Sequence, residues 1–323
     1  MSGPFGGTHW MAKSEETIAF GGNRGIVAGG LQGGHYTYVD DIEYFNITAT
    51  GNASDFGNLT LNRSGFGSGS SGSRGVFIGG YLGAYREEID YITIASTGNA
   101  TDFGDCIRPQ KCKPSGASDG IKCLVAGAGY QGGGYHNEIE YLTIASLGDM
   151  ADFGDLNYDG GGYGCCNGIR AIWGGGGTDV PTNQNEINNI SYVTTASLGN
   201  ASDFGDMVVP RRNHAWASNN TRAVAAGGYY ASGTPDSSLR HIEYITVMST
   251  GNGTVFGDLT EDNDGASYTG NATRAVFPGG YGRGPGQDFG DFIDYVDYDT
   301  TGNASLFGDL VNGKYDHAAT SGD

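Results

Sequence analysis

No run of apolar residues in this sequence approaches the ~18 needed to cross a bilayer as a helix. No apolar stripe recurs at helical period either, so long amphipathic helices are not expected. Basic residues are scarce: 17 Lys and Arg stand against 36 Asp and Glu, a net charge of −19. They are not clustered. A nucleic-acid-binding face is therefore not expected, and anionic membranes should repel the chain. Residues 1–30 lack a charged stretch followed by an apolar run. The expectation is no ordinary signal peptide, hence synthesis in the cytoplasm or export by another route.

Cysteine is also sparse. The five are Cys106, Cys112, Cys123, Cys165 and Cys166, with no Cys-x-x-Cys pair, which argues against a zinc site. An odd number does not make a disulfide scaffold. Cys106 and Cys112 are spaced to close one short loop; the other reading is free buried thiols. The signatures of catalysis are thin as well. The six histidines (His9, His35, His136, His214, His241 and His317) share no spacing, and neither a Gly-x-Ser-x-Gly nucleophile elbow nor a phosphate loop is expected. No cofactor is implied.

What is abundant is glycine, 60 of 323 residues, and a repeat. An Ile is followed two residues later by a Tyr and twelve residues after that by a Phe. The tyrosines are Tyr44, Tyr91, Tyr141, Tyr192, Tyr244 and Tyr295; the phenylalanines are Phe56, Phe103, Phe153, Phe204, Phe256 and Phe307. The period runs 47, 50, 51, 52 and 51. A period near 50 with strand-like content points to a propeller or β-solenoid.

Each repeat carries four strand signals. Strand a is a small-residue run such as His214-Ala-Trp-Ala-Ser218. Strand b opens on a basic residue: Arg24, Arg74, Lys122, Arg170, Arg222 or Arg274. Strand c is the Ile-acid-Tyr stretch, rich in β-branched and aromatic residues. A Thr-Gly-Asn-Ala stretch follows, expected as a tight hairpin because Gly and Asn tolerate positive φ. Strand d is centred on Asp-Phe-Gly-Asp. From the basic residue to the Tyr the distances are 20, 17, 19, 22, 22 and 21 residues. Length variation is thus concentrated in the b–c loops. One end of the disc should be a uniform rim of turns, and the other a variable, binding-prone face.

The order of these elements, with Arg211-Arg-Asn-His-Ala215 near a Gly-Gly pair, resembles the kelch repeat, although Phe stands where kelch repeats carry Trp. The resemblance covers residues 17 to 321. More narrowly, the Ala95-Ser-Thr-Gly-Asn-Ala-Thr-Asp-Phe-Gly-Asp105 run resembles repeat proteins of tailed phages, especially cyanophages, and of large algal viruses. It implies a virion or structural role.

The expected architecture is all-β: a six-bladed kelch-like β-propeller of four-stranded antiparallel blades. Residues 1–15 form an N-terminal arm, 16–316 the propeller, and 317–323 a closing or donated strand. Residues 17–20 would supply strand a of the first blade. The tail would then latch inside its own ring or pair with another subunit. The six strand-b basic residues are read as a structural ring, each hydrogen-bonded or ion-paired; the rival reading is an anion-binding ring around the channel. Asp155, Asn157 and Asp159 match the first half of a calcium loop, but Cys166 stands where the bidentate Glu belongs. Eleven Asn-x-Ser/Thr sequons occur, including Asn52, Asn99, Asn200, Asn271 and Asn303. Tyr36, Tyr38, Tyr81, Tyr85, Tyr130, Tyr135, Tyr229 and Tyr230 fall in the b–c loops and are the candidate ligand-contacting residues.

The functional expectation is a non-enzymatic virion component, a fibre, tail or decoration protein, presenting its loop face to a host glycan or protein. Its partners would be other virion subunits, with a homo-oligomer expected, and neither nucleic acid nor membrane insertion. The alternative is a subunit of an extracellular filament polymerising through its termini; a glycan-active enzyme is the third reading.

Overall fold

The computed structural model describes residues 22–33, 36–111, 116–127, 129–130, 134, 136–160, 162–180, 183–230, 237–282 and 289–323. The expected N-terminal arm, Cys112 and Tyr135 lie outside them. Among the described residues there is no helix. Six four-stranded antiparallel sheets form the blades of a β-propeller.

The second blade shows the pattern. Its inner strand is Gly67–Ser70, followed outward by Arg74–Tyr81, Tyr85–Thr93 and Thr101–Lys111. In every blade the strand c–strand d ladder carries a bulge between the Ile and the residue before the Tyr, and the second and fifth blades carry one more, at Arg86/Glu88 and Leu239/His241. A bulge bends the outer strand and adds twist, which is what a wedge-shaped blade requires.

The inner strand of the first blade comes from the far end of the chain. Ala318–Gly322 pairs antiparallel with Arg24–Gln32, from Arg24↔Gly322 to Ala28↔Ala318. The place expected for residues 17–20 is therefore filled by the C-terminal strand, within its own ring.

Among the described residues there is no central apolar core. Six buried clusters lie at the six seams between blades. The fixed spacing of Tyr and Phe has its cause here. In each blade the two rings meet edge-to-face, with centroids 5.8 to 6.1 Å apart.

The Thr-Gly-Asn-Ala stretch is not the tight hairpin that its composition suggests. None of its asparagines has positive φ. The chain bends earlier, at Ile94-Ala-Ser96, and the stretch then docks on the preceding blade. Gly98 N–H donates to the Phe56 carbonyl at 2.8 Å, and Asn99 Oδ1 accepts from Asn58 N–H at 3.0 Å. The same side-chain contact recurs at Asp149, Asn200, Asn252, Asn303 and Asn52. The glycine of Phe-Gly-Asp is required by this approach. A Cβ on Gly104 would lie 2.6 Å from the carbonyl carbon of Gly148 in the next blade.

Candidate functional site

Three side-chain systems hold the ring, and they account for most of the charged residues singled out in the sequence. The first is the strand-b basic residue. Arg24, Arg74, Arg170, Arg222 and Arg274 each lie over the Tyr of their own blade, 4.5 to 4.8 Å from its centroid. All six basic residues also donate to a backbone carbonyl in the next blade: Ile94, Ile144, Thr195, Val247, Tyr298 and Ile47 in ring order. The five arginines staple two blades together by cation–π contact and a charge-assisted hydrogen bond, and Lys122 does so by its hydrogen bond.

The second system uses the strand-c residue before the Tyr. It does not pair with the strand-b cation. It accepts hydrogen bonds from the loop between strand d of the preceding blade and strand a of its own. The contacting residue stands four places after the Phe, as in Thr60 with Asp90, Ile107 with Glu140, Val208 with Glu243 and Thr260 with Asp294. Seven places after the Phe the same loop supplies a buried partner: Arg63 for Asp90, Gln110 for Glu140, Arg211 for Glu243 and Lys314 for Glu43. Burial pushes the carboxyls of Glu43, Glu140 and Asp294 above the usual carboxylate range. Asn157 occupies the four-place position in the fourth blade and accepts a short hydrogen bond from Ser191. The resemblance of Asp155, Asn157 and Asp159 to a calcium loop coincides with this structural role. Among the described residues no group of three or more His, Cys, Asp or Glu could hold a metal ion.

The third system lines the axial channel. Ser321, Ser70, Ser118, Cys166, Ser218 and Gly270 occupy one level of the six inner strands. Ser70 donates to the Ser321 carbonyl at 2.6 Å, Ser218 to Cys166 at 2.8 Å and Ser321 to Gly270 at 2.5 Å. Ser118 makes the equivalent short bond to Ser70. Across the bore, Tyr268 Oη donates to the Gly116 carbonyl at 2.7 Å. The space left is about 100 Å³. Against the expectation of no nucleophile elbow, Gly116-Ala-Ser-Asp-Gly120 has the Gly-x-Ser-x-Gly spacing of one. Here it is an inner strand running into a turn, and the Ser118 hydroxyl belongs to the belt.

The opposite end of the blades from these turns carries the b–c loops. Over the first two blades Tyr38, Tyr81 and Tyr85 form a ladder, with centroids 6.2 Å (Tyr38–Tyr81) and 5.6 Å (Tyr81–Tyr85) apart. Tyr36 meets Phe289 edge-on at 5.5 Å, and Phe289 also contacts Tyr281 and Tyr315. Beside this second cluster, at the seam of the sixth and first blades, lies a cavity of about 670 Å³. Gln32, Thr37, Phe289, Asp291 and Asn312 line it. Tyr36, 55% exposed, precedes the lining residue Thr37 and sits on a left-handed backbone with φ of 53°.

The remaining candidates divide. Tyr229 is buried under Arg212, whose guanidinium carbon lies 4.8 Å from the ring centroid. Tyr230 is half-buried. The backbone of Tyr130 pairs with Gln110, while its side chain and Tyr135 lie outside the described residues. Phe289, Tyr281 and Tyr315 were not singled out in the sequence. Phe289 and Tyr281 belong to the glycine-rich b–c loop of the sixth blade, and Tyr315 to a d–a loop that looked merely connective. No protein-family model matches the chain, and no curated protein matches it significantly.

Proposed function

We propose that this propeller is a non-enzymatic adhesion module whose loop face receives a glycan or a glycan-bearing protein at the seam of the sixth and first blades. The observation that carries the reading is the open cavity there, lined by Phe289 and by amide and carboxylate groups, with exposed Tyr36 set edge-on to Phe289. Aromatic faces stack on sugar rings, and amides with carboxylates accept and donate to their hydroxyls. The strand-c acids support a non-catalytic reading, because loop N–H groups and buried cations engage them.

Placement in a virion, as a fibre, tail or decoration protein, rests on the resemblance of the Thr-Gly-Asn-Ala-Thr-Asp-Phe-Gly repeats to those of phage and algal-virus proteins. The kelch-like assignment rests likewise on the repeat residues. A glycan array probed with the wild type and with Tyr36→Ala and Phe289→Ala tests the binding site. Binding that both variants abolish, with melting temperature retained, is the expected result. Undiminished binding by both variants, or none by the wild type, contradicts it.

A further inference from the structure

At four of the six seams, the residue seven places after the strand-d Phe meets the strand-c acid of the next blade. Arg63 and Arg211 do so as guanidinium groups, and Gln110 as an amide. A guanidinium stays protonated and an amide is a poor nucleophile. At the seam joining the sixth blade to the first, the residue is a lysine. Lys314 is fully buried, and its Nζ lies 2.6 Å from Asp41 Oδ2 and 2.7 Å from Glu43 Oε1. Asp41 sits two residues before Glu43 on the strand Thr37–Asn46, with its side chain 27% exposed. Gln32 Nε2 donates toward both Asp41 oxygens, at 3.3 and 3.2 Å. The second oxygen of Glu43 accepts from Val311 N–H at 2.7 Å, which fixes that carboxyl against the amine.

We propose that Lys314 and Asp41 are joined by an intramolecular isopeptide bond, formed in the folded protein with Glu43 carrying the proton. The ammonium gives a proton to the Glu43 carboxylate, freeing the nitrogen lone pair. Nζ attacks Cγ of Asp41, whose developing oxyanion receives the Gln32 amide. Glu43 returns the proton to the departing oxygen, which takes up one of the two remaining amine protons and leaves as water, the other staying as the amide N–H. One C–N bond forms, one C–O bond breaks, and an ammonium with a carboxylate becomes an amide plus water. No oxidant or activated co-reactant is needed. Burial raises the Glu43 carboxyl, with the Lys314 charge opposing it, which suits a proton carrier.

The position gives the bond its purpose. Five seams are crossed by chain that goes on to build the rest of the next blade, whereas across the sixth the chain supplies only the strand Ala318–Gly322, which is held to the first blade by hydrogen bonds to Arg24–Gln32. A link from residue 41 to residue 314 makes the blades a covalent circle, and leaves the closing strand Ala318–Gly322 as a latch outside it.

Intact mass of the purified full chain, measured under denaturing conditions, decides the matter. The expected mass is one water, about 18 Da, below the sequence mass. A tryptic product containing both residue 41 and residue 314 is expected with it. Lys314→Arg and Glu43→Gln should restore the full mass. A wild-type chain at its full sequence mass, with the two residues in separate peptides, overturns the bond and leaves an ion pair only. Water loss persisting in Glu43→Gln overturns the role given to that residue. The wild-type reading does not depend on whether either variant folds.

Discussion

At the scale of single residues, the repeat is explained by contacts across seams. Asn99 is wanted as an acceptor for the preceding blade, and Asp149 performs the same task in the third blade. Asn99→Ala should cost about 1 kcal/mol in denaturant unfolding, and Asn99→Asp close to nothing. The cysteines divide similarly. Cys123 is fully buried among apolar side chains, and burial lifts its thiol well above the ordinary range. Cys166 stands in the hydroxyl belt of the channel. Cys123→Ser should cost about 1–3 kcal/mol, whereas Cys166→Ser, which supplies a missing belt hydroxyl, should be nearly neutral.

His317 tests the interior by pH. Burial first, and the Lys314 ammonium where it is unlinked, pull its pKa down to about 3. The unfolded chain therefore takes the proton first, and stability rises with pH between about 3 and 6.5. The raised carboxyls of Glu140 and Asp294 act in the opposite sense just above their ordinary values, because there the folded state binds first. Phe66 occupies the corresponding place in the second blade, ten residues after its Phe. His317→Phe should match the wild type near pH 7 and exceed it by about 3 kcal/mol at pH 4 in urea titrations. Parallel pH profiles would refute the assignment.

At the scale of the element, strand c and the d–a loop form one buried polar unit per seam. Arg211 and Glu243 are both fully buried, 3.0 Å apart. Arg211→Met should cost about 3–5 kcal/mol by leaving an uncompensated carboxylate, and adding Glu243→Leu should recover much of that loss. The four strands were legible because period-two apolar residues and a fixed Tyr-to-Phe spacing report local geometry. The partner of the strand-c acid was not legible. Arg63, Arg211 and Lys314 lie in loops without alternation, and the pairing joins one repeat to the next, so no single repeat displays it. The docking of Thr-Gly-Asn-Ala was missed for the same reason: its glycine and asparagine suit a turn and an inter-blade contact equally well.

At the scale of the molecule, repeat number and period gave six blades, a closed ring and a face of variable loops. Which loop residues meet was hidden, because Tyr36 and Phe289 are 253 positions apart and are brought together only by closure. The same closure places the candidate glycan cavity and Lys314 at one seam. The account therefore stands on the C-terminal strand completing the first blade of its own chain. The most direct measurement is thermal unfolding, with sedimentation, of a chain ending at Asp316. Loss of Ala318–Gly322 should uncover the buried face of Arg24–Gln32 and lower the melting temperature by ten degrees or more, on the order expected for several kcal/mol. An unchanged melting temperature, or a wild-type oligomer that this truncation dissolves into equally stable monomers, would contradict it.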